Sequence, residues 1–339
     1  MSKKHVLLLG LCMAFVLTMT SGVMAQTAPT HLKIGYSTWV GYGPLFIAQE
    51  KGYFTDAGLE VELVKVEDPK DRFVALAGGQ LDGLVTTLDT MSQYWNAETP
   101  YRAILGLDES SGGDGIVVNS GIASVEDLKG KKIGVNVGSV SQFFLEYVLK
   151  EHKMTDADVQ LVKMKQGDVP AALASNQIDA GVTWEPHLSK SVDNGATLLV
   201  SSKETPGLIV DILVMKDNVL ADNPTVGTGL INAWYKAVDY ENANPDDGAA
   251  LMQQGLGGFY EKPDDIKADL AGVTLFDEAR NKEFFNTTEA GGATATLQFA
   301  IDFYTSLNII TTPVDTAKLI DASYVGPMEE ATPEVTPAA

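Results

Sequence analysis

Apolar positions along the first two thirds of the chain switch repeatedly between a period of two and a period near that of a helix. Residues 31–36 (HLKIGY) alternate over a strand length, and 43–54 (GPLFIAQEKGYF) carry helical spacing that Gly52 stops. Residues 59–66 (LEVELVKV) alternate cleanly, Pro69 opens a helix running to Leu76, and Gly78 and Gly79 end it. A buried strand at 81–86, a helix at 89–96 and a strand at 101–107 complete a first unit. A second begins with the strand DGIVVN (114–119), then a short helix and turn (123–132) and a strand at 133–137. A strongly amphipathic helix at 139–152 follows, then DVQLVKM, helix DVPAALAS, strand IDAGV, helix WEPHLSKSV and strand ATLLV. Strands separated by helices in this way predict βαβ units and mainly parallel sheets. After about residue 217 long helices take over, at 224–244, 245–256 and 291–308. Residues 329–339 (EEATPEVTPAA) are polar and Pro-rich with little to bury, and a disordered tail is expected there.

The first 25 residues stand apart from this alternation. Lys3 and Lys4 precede an apolar run from Val6 to Leu17, and Val23 and Ala25 place small residues ahead of a cut before Gln26. The run is too short for a good membrane span, and Cys12 lies inside it after Leu11, where a lipid-anchor signal needs a small residue. A cleavable signal peptide over 1–25 and export to the periplasm without an anchor are expected.

Composition narrows the partners. The chain has 339 residues, 45% of them hydrophobic, enough for a large core and for two lobes. Its 45 acids against 24 bases give a net charge of −21, a field that repels nucleic acid and anionic membrane surfaces. Removing the two signal lysines leaves 22 bases against 45 acids, or −23, and takes away the single cysteine. A mature chain without a thiol suits an oxidising compartment and has neither disulfide nor thiolate metal site. His31, His152 and His187 are far apart, and the chain holds no Gly-x-Ser-x-Gly, phosphate loop or His-Glu-x-x-His, so enzyme readings do poorly.

The string IGYSTWVGYGPLFIAQEKGYFTDAGLEVELV, followed in order by ALAGGQLDGLVTT (75–87), DLKGKKIGVNVGS (127–139) and ASNQIDAGVTWEPHLSK (174–190), resembles the periplasmic substrate-binding proteins of the nitrate/sulfonate/taurine class of ABC importers. The resemblance covers roughly residues 32–215, and the helical remainder fits it. It implies a two-lobed α/β fold of the type II-like periplasmic-binding-protein kind, each lobe a mainly parallel sheet flanked by helices, with the ligand cleft between lobes. Two crossovers are expected, near Gly113 to Val117 and near Leu208 to Val214. Lobe one would then comprise 27–113 and 214–328, and lobe two 114–213. The implied partners are a small-molecule solute and a membrane permease with its ATPase, for a chain expected to be a monomer. Some proteins resembling this family are pyrimidine-forming enzymes with a cysteine-rich iron motif, which a mature chain without cysteine lacks.

Ligands in open α/β sheets sit beyond the carboxyl ends of the strands, and that rule selects loops here. The first, Ser37 to Gly43, offers Trp39 and Tyr42 as walls for a flat or apolar solute, or as caps on the lobe. The next, Thr86 to Thr90, offers Thr87 and Asp89 either as ligand contacts or as the N-cap of a helix. Asp114 brackets the first crossover, and Asp211 interrupts the apolar strand LIVDILVM, where an ionised carboxylate is costly unless backbone amides or a lysine satisfy it. Ser139 and Ser141 open the amphipathic helix, a ready acceptor site for an anionic or carbonyl oxygen and equally an ordinary serine cap. Trp184 and Glu185 follow strand IDAGV, the one to cover a ligand and the other to accept its N–H groups. Asp82 and Asp179, in the matching strings GQLD and NQID, start strands on the opposite side and read as structural.

These acids face few bases. Arg72 is the one cation the spacing places nearby, and an ion pair with Asp68 or Asp71 is its simpler role. A negative cleft with tryptophans favours a small solute bearing a positive nitrogen: an amine, a guanidinium or a taurine-like zwitterion. The resemblance alone points instead to a simple anion such as an alkanesulfonate or nitrate, and a periplasmic ligand sensor is a further alternative. No cofactor or metal is expected.

Overall fold

The computed structural model describes residues 29–326, so the expected signal peptide and tail lie outside it. Eleven strands form two sheets among the described residues. The six-stranded sheet, in order β11-β4-β10-β3-β1-β2, holds β1 (Thr30–Tyr36), β2 (Leu59–Lys65), β3 (Gly83–Thr87), β4 (Tyr101–Ser110), β10 (Val210–Lys216) and β11 (Val273–Leu275). The five-stranded sheet, in order β7-β6-β8-β5-β9, holds β5 (Asp114–Val118), β6 (Lys132–Val135), β7 (Gln160–Lys163), β8 (Ala180–Trp184) and β9 (Thr197–Ser201). The chain thus passes from one sheet to the other over 111–113 and returns over 202–209.

Strand direction follows from the pairing. β1 is parallel to β2 and β3, while β10 is antiparallel to both β3 and β4, so β1 to β4 point one way. In the second sheet β6 is parallel to β7 and β8, and β5 is antiparallel to β8 and β9. In each sheet, then, the strand that follows a crossover is slotted in against the direction of its neighbours. That reversal brings the first residues of β5 and β10 to the side where the other strands end.

The elements largely follow the expected periodicity, with one informative displacement. The strand expected at 178–182 lies at Ala180–Trp184, and the next helix begins at His187, so Trp184 closes a strand instead of opening a helix. All five residues of β8 are buried, and a continuous apolar run carries no alternation to mark its register. Asp82 and Asp179 play matched structural parts: Asp82 accepts from Lys33 N at 2.9 Å and Asp179 from Lys132 N at 2.8 Å, each tying the start of one parallel strand to its neighbour.

Helices from the two halves meet as well as the loops. Phe143, on the helix Val140–Glu151, packs edge-on against Phe303 and obliquely against Tyr304 on Ala293–Ser306. None of the described helices is long and apolar enough to cross a membrane. One buried polar side chain repairs the sheet beside β11. Asn281 is fully buried, accepts from Gly106 N at 2.7 Å and donates to Gly106 O at 2.9 Å, standing in for a strand where β11 covers only residues 108–110 of β4. Asn281→Ala leaves both backbone groups unpaired, and urea denaturation should show a loss of about 2–3 kcal/mol.

Candidate functional site

The register of the reversed strands gathers the acids. Asp211, the second residue of β10, lies opposite Thr87 on one side and Asp108 on the other, and Asp114, the first residue of β5, lies opposite Trp184. Both carboxylates line one cavity between the sheets, with about 30 Å³ of free space inside. The six-stranded half supplies Trp39, Tyr42, Arg72, Thr87 and Asp211, together with Ser37, Thr86 and Thr90. The five-stranded half supplies Asp114, Ser139, Val140 and Trp184. That is room for a water-sized group while the two halves stand this close.

Each wall is fixed by a specific bond. The Trp39 indole donates to both oxygens of Asp108, at 3.1 and 3.3 Å, and its ring lies against Gly113 in the first crossover. A Cβ on Gly113 would come within 2.4 Å of that ring, so only glycine fits there. The Tyr42 hydroxyl donates to Asp211. From the other half, the Trp184 indole donates to Thr38 O at 2.8 Å, and across the cleft the Tyr94 hydroxyl donates to Gly138 O at 2.9 Å. These two bonds join the halves directly around the cavity.

Burial dominates the electrostatics. It pushes the Asp114 carboxyl up to about 8, with Ser110 opposing and Asp211, Asp89 and Glu185 adding repulsion. Asp211 is raised to about 7 by burial, with the Tyr42 hydroxyl opposing, Asp89 adding to the rise and Arg72 drawing it down. Asp108, also fully buried, is raised well above the usual carboxylate range by burial and then by Asp211.

Seven of the sequence candidates line the cavity: Trp39, Tyr42, Thr87, Asp114, Ser139, Trp184 and Asp211. Three do not. Thr87 and Thr90 share the cavity face of their helix, and Asp89, on another face, accepts from the Tyr304 hydroxyl at 2.9 Å and Thr90 Oγ1 at 3.1 Å. Ser139 is the helix cap, accepting from Ser141 N at 3.2 Å, while the Ser141 hydroxyl is buried without a protein partner and does not line the cavity. Glu185 follows the end of β8, in the turn before the helix that starts at His187, and there accepts from Ser189 N at 2.9 Å instead of lining the cavity.

Arg72 corrects another expectation. Asp68 caps its own helix, accepting from Lys70 N at 2.9 Å, and Arg72 instead donates Nη1 to Val66 O at 2.9 Å. The guanidinium is buried at the cavity with Nε unpartnered. Spacing favours a local acid as partner, but the fold turns the side chain inward. Two tyrosines escaped the sequence reading. Tyr94 follows Thr87 and Thr90 at helical spacing, a signal that was available, whereas Tyr304 is recognisable only by its contact with Asp89, 215 residues away.

Known proteins resemble the chain over most of its length. A putative binding protein of Brucella abortus is 26% identical over 327 residues, 93% of this chain and 97% of that protein. A putative aliphatic sulfonates-binding protein of Bacillus subtilis is 27% identical over 297 residues, 83% of each. The solved periplasmic aliphatic sulphonate binding protein SsuA of Escherichia coli superposes with a TM-score of 0.69 at 19% identity, covering 86% of this chain and 97% of that one. That likeness gives the two-lobed fold of periplasmic binding proteins. A pyrimidine phosphate synthase of Aspergillus parasiticus matches a smaller share, 29% identical over 224 residues, 60% of this chain and 64% of it. Residues 39–248, more than half of the chain, match the family described as NMT1/THI5 like, and the protein belongs to that family.

Proposed function

We propose that the protein is the periplasmic solute-binding component of an ABC importer and that its solute is small and bears a positively charged nitrogen. The observation that carries the solute class is Asp114. Its carboxyl is buried in the cavity lined by Trp39 and Trp184, and after burial the largest influences on it come from Ser110 and further acids. Asp211, by contrast, already has Arg72 and the Tyr42 hydroxyl near it. A protonated nitrogen at Asp114 supplies the missing positive charge, and the aromatic walls favour a cation further. The buried, unpartnered Arg72 Nε faces an acceptor on the same solute, which favours a taurine-like zwitterion over a bare amine or guanidinium.

Solute contacts from both halves stabilise the closed form over the open one, and the closed protein presents itself to a membrane permease coupled to an ATPase. On this reading it acts as a monomer and by binding alone, without a chemical step. The mature histidines support that reading, since His31 pairs with Glu60, His152 with Glu126, and His187 packs against Phe259. A ligand sensor would make the same contacts, and neighbouring permease and ATPase genes distinguish the importer.

A simple anion is the second reading, favoured by Arg72 and by the aliphatic sulfonates named for the Bacillus subtilis relative. Titration calorimetry with taurine, ethylamine, guanidine, ethanesulfonate and nitrate separates the two. Tight binding is expected among the three nitrogen-bearing solutes. Tight binding of ethanesulfonate or nitrate with none of those three overturns the reading.

A further inference from the structure

Beside Glu185, which does not line the solute cavity, the two halves of the molecule meet at a second place. The Glu185 carboxylate accepts from Ser189 N at 2.9 Å and from Ser189 Oγ at 2.8 Å, and the same hydroxyl lies 3.2 Å from Asp269 Oδ1. Glu185 and Ser189 follow β8 of the five-stranded sheet, whereas Asp269 ends the helix Pro263–Leu270 that leads into β11 of the six-stranded one. Glu185 and Asp269 are each only 8% exposed. A serine hydroxyl has one proton and cannot donate to both acids at once. Two ionised carboxylates across it repel where little water screens them, whereas one proton on the pair relieves that repulsion.

We propose that Glu185, Ser189 and Asp269 form a proton-dependent latch that holds the two halves together while the acid pair carries a proton and favours their separation once both acids are ionised. The acids around it reinforce the repulsion, whereas the Tyr260 hydroxyl opposes it by favouring ionised Asp269. Asp193 lies on the helix of Ser189 and Asp265 on that of Asp269, the Tyr260 hydroxyl faces Asp269, and Asp114 on β5 faces Glu185. Lys165, Lys190, Lys262 and His187 border the same groove, and burial pushes His187 down to about 4, so it stays neutral above that.

The sign follows from the directions. Burial, and then Asp269, raise Glu185 to about 7, and burial raises Asp269 to about 6. Once the halves part, hydrated carboxyls return towards about 4. The closed form therefore holds a proton that the open form sheds, and its advantage declines as pH rises above about 4 and is gone above about 7. Neither acid lines the solute cavity, so the latch stands or falls independently of what the cavity binds.

Small-angle X-ray scattering of the solute-free full chain from about pH 5 to about pH 8.5 tests it. The radius of gyration of the wild type should rise with pH and level off above about pH 7. Asp269→Asn and Glu185→Gln each place an amide donor where the shared proton sits and should stay compact throughout. Either variant suffices if the other does not fold. A wild-type radius that does not change, or an expansion that persists in the folded variants and so belongs to the cavity acids, overturns the latch.

Discussion

Asp114→Asn is expected to weaken solute binding by about 30- to 1,000-fold, read by calorimetry with whichever nitrogen-bearing solute binds the wild type. Truncating one side of a buried, hydrogen-bonded charge pair costs about 2–4 kcal/mol, because the partner charge stays buried without compensation. The amide keeps the shape of the carboxyl, so the pairing of β5 with β8 and the position of Trp184 should survive. Ser141→Ala supplies the contrast. Its hydroxyl makes no protein hydrogen bond and lies off the cavity, so affinity should stay within about 2-fold of wild type, the ordinary range for a change that touches no such feature. If Asp114→Asn binds like the wild type, the positive nitrogen does not sit at this acid.

Affinity for such a solute should also rise steeply with pH, by up to about 100-fold between about pH 6 and pH 8 if one proton is displaced per solute bound. Asp114 is raised to about 8 and Asp211 to about 7, so the empty cavity holds protons through this range. A cation favours the ionised acids and must expel a proton to reach them, which gives about tenfold per pH unit below the higher value. Calorimetry in two buffers of different ionisation enthalpy should detect the released proton. A simple anion predicts the reverse slope, since ionising the acids would repel it. The same acids set a stability trend for the empty protein. Their carboxyls ionise near about 4 when unfolded but only near 7 to 8 when folded, so stability falls as pH rises through that window, and falls less in Asp114→Asn.

Most of the fold is legible in the residue pattern, and the candidate site is legible only at the level of loops. The strand-end rule chose segments that border the cavity, because it depends on where apolar runs stop. It does not choose directions. Trp184 and Glu185 are adjacent, yet one walls the cavity and the other reaches Ser189, because the strand ends at Trp184 and Glu185 belongs to the turn that follows. Thr87, Asp89 and Thr90 separate for a helical reason, with the threonines on one face and Asp89 on the face that meets Tyr304.

By itself the sequence determined the alternation of strand and helix, the acidic charge, the signal-like amino terminus and the resemblance to binding proteins, all of which reside in local spacing and composition. The tertiary structure alone decided which acids share one cavity, that Arg72 turns inward instead of pairing with Asp68 or Asp71, and that Glu185 turns to Ser189 instead of the cavity. Those outcomes depend on desolvation and on partners such as Tyr42 and Asp211, 169 residues apart, whose meeting is set by the reversed strand β10 slotted between β3 and β4. Local periodicity carries no record of that insertion, and the charge state of each acid follows from it.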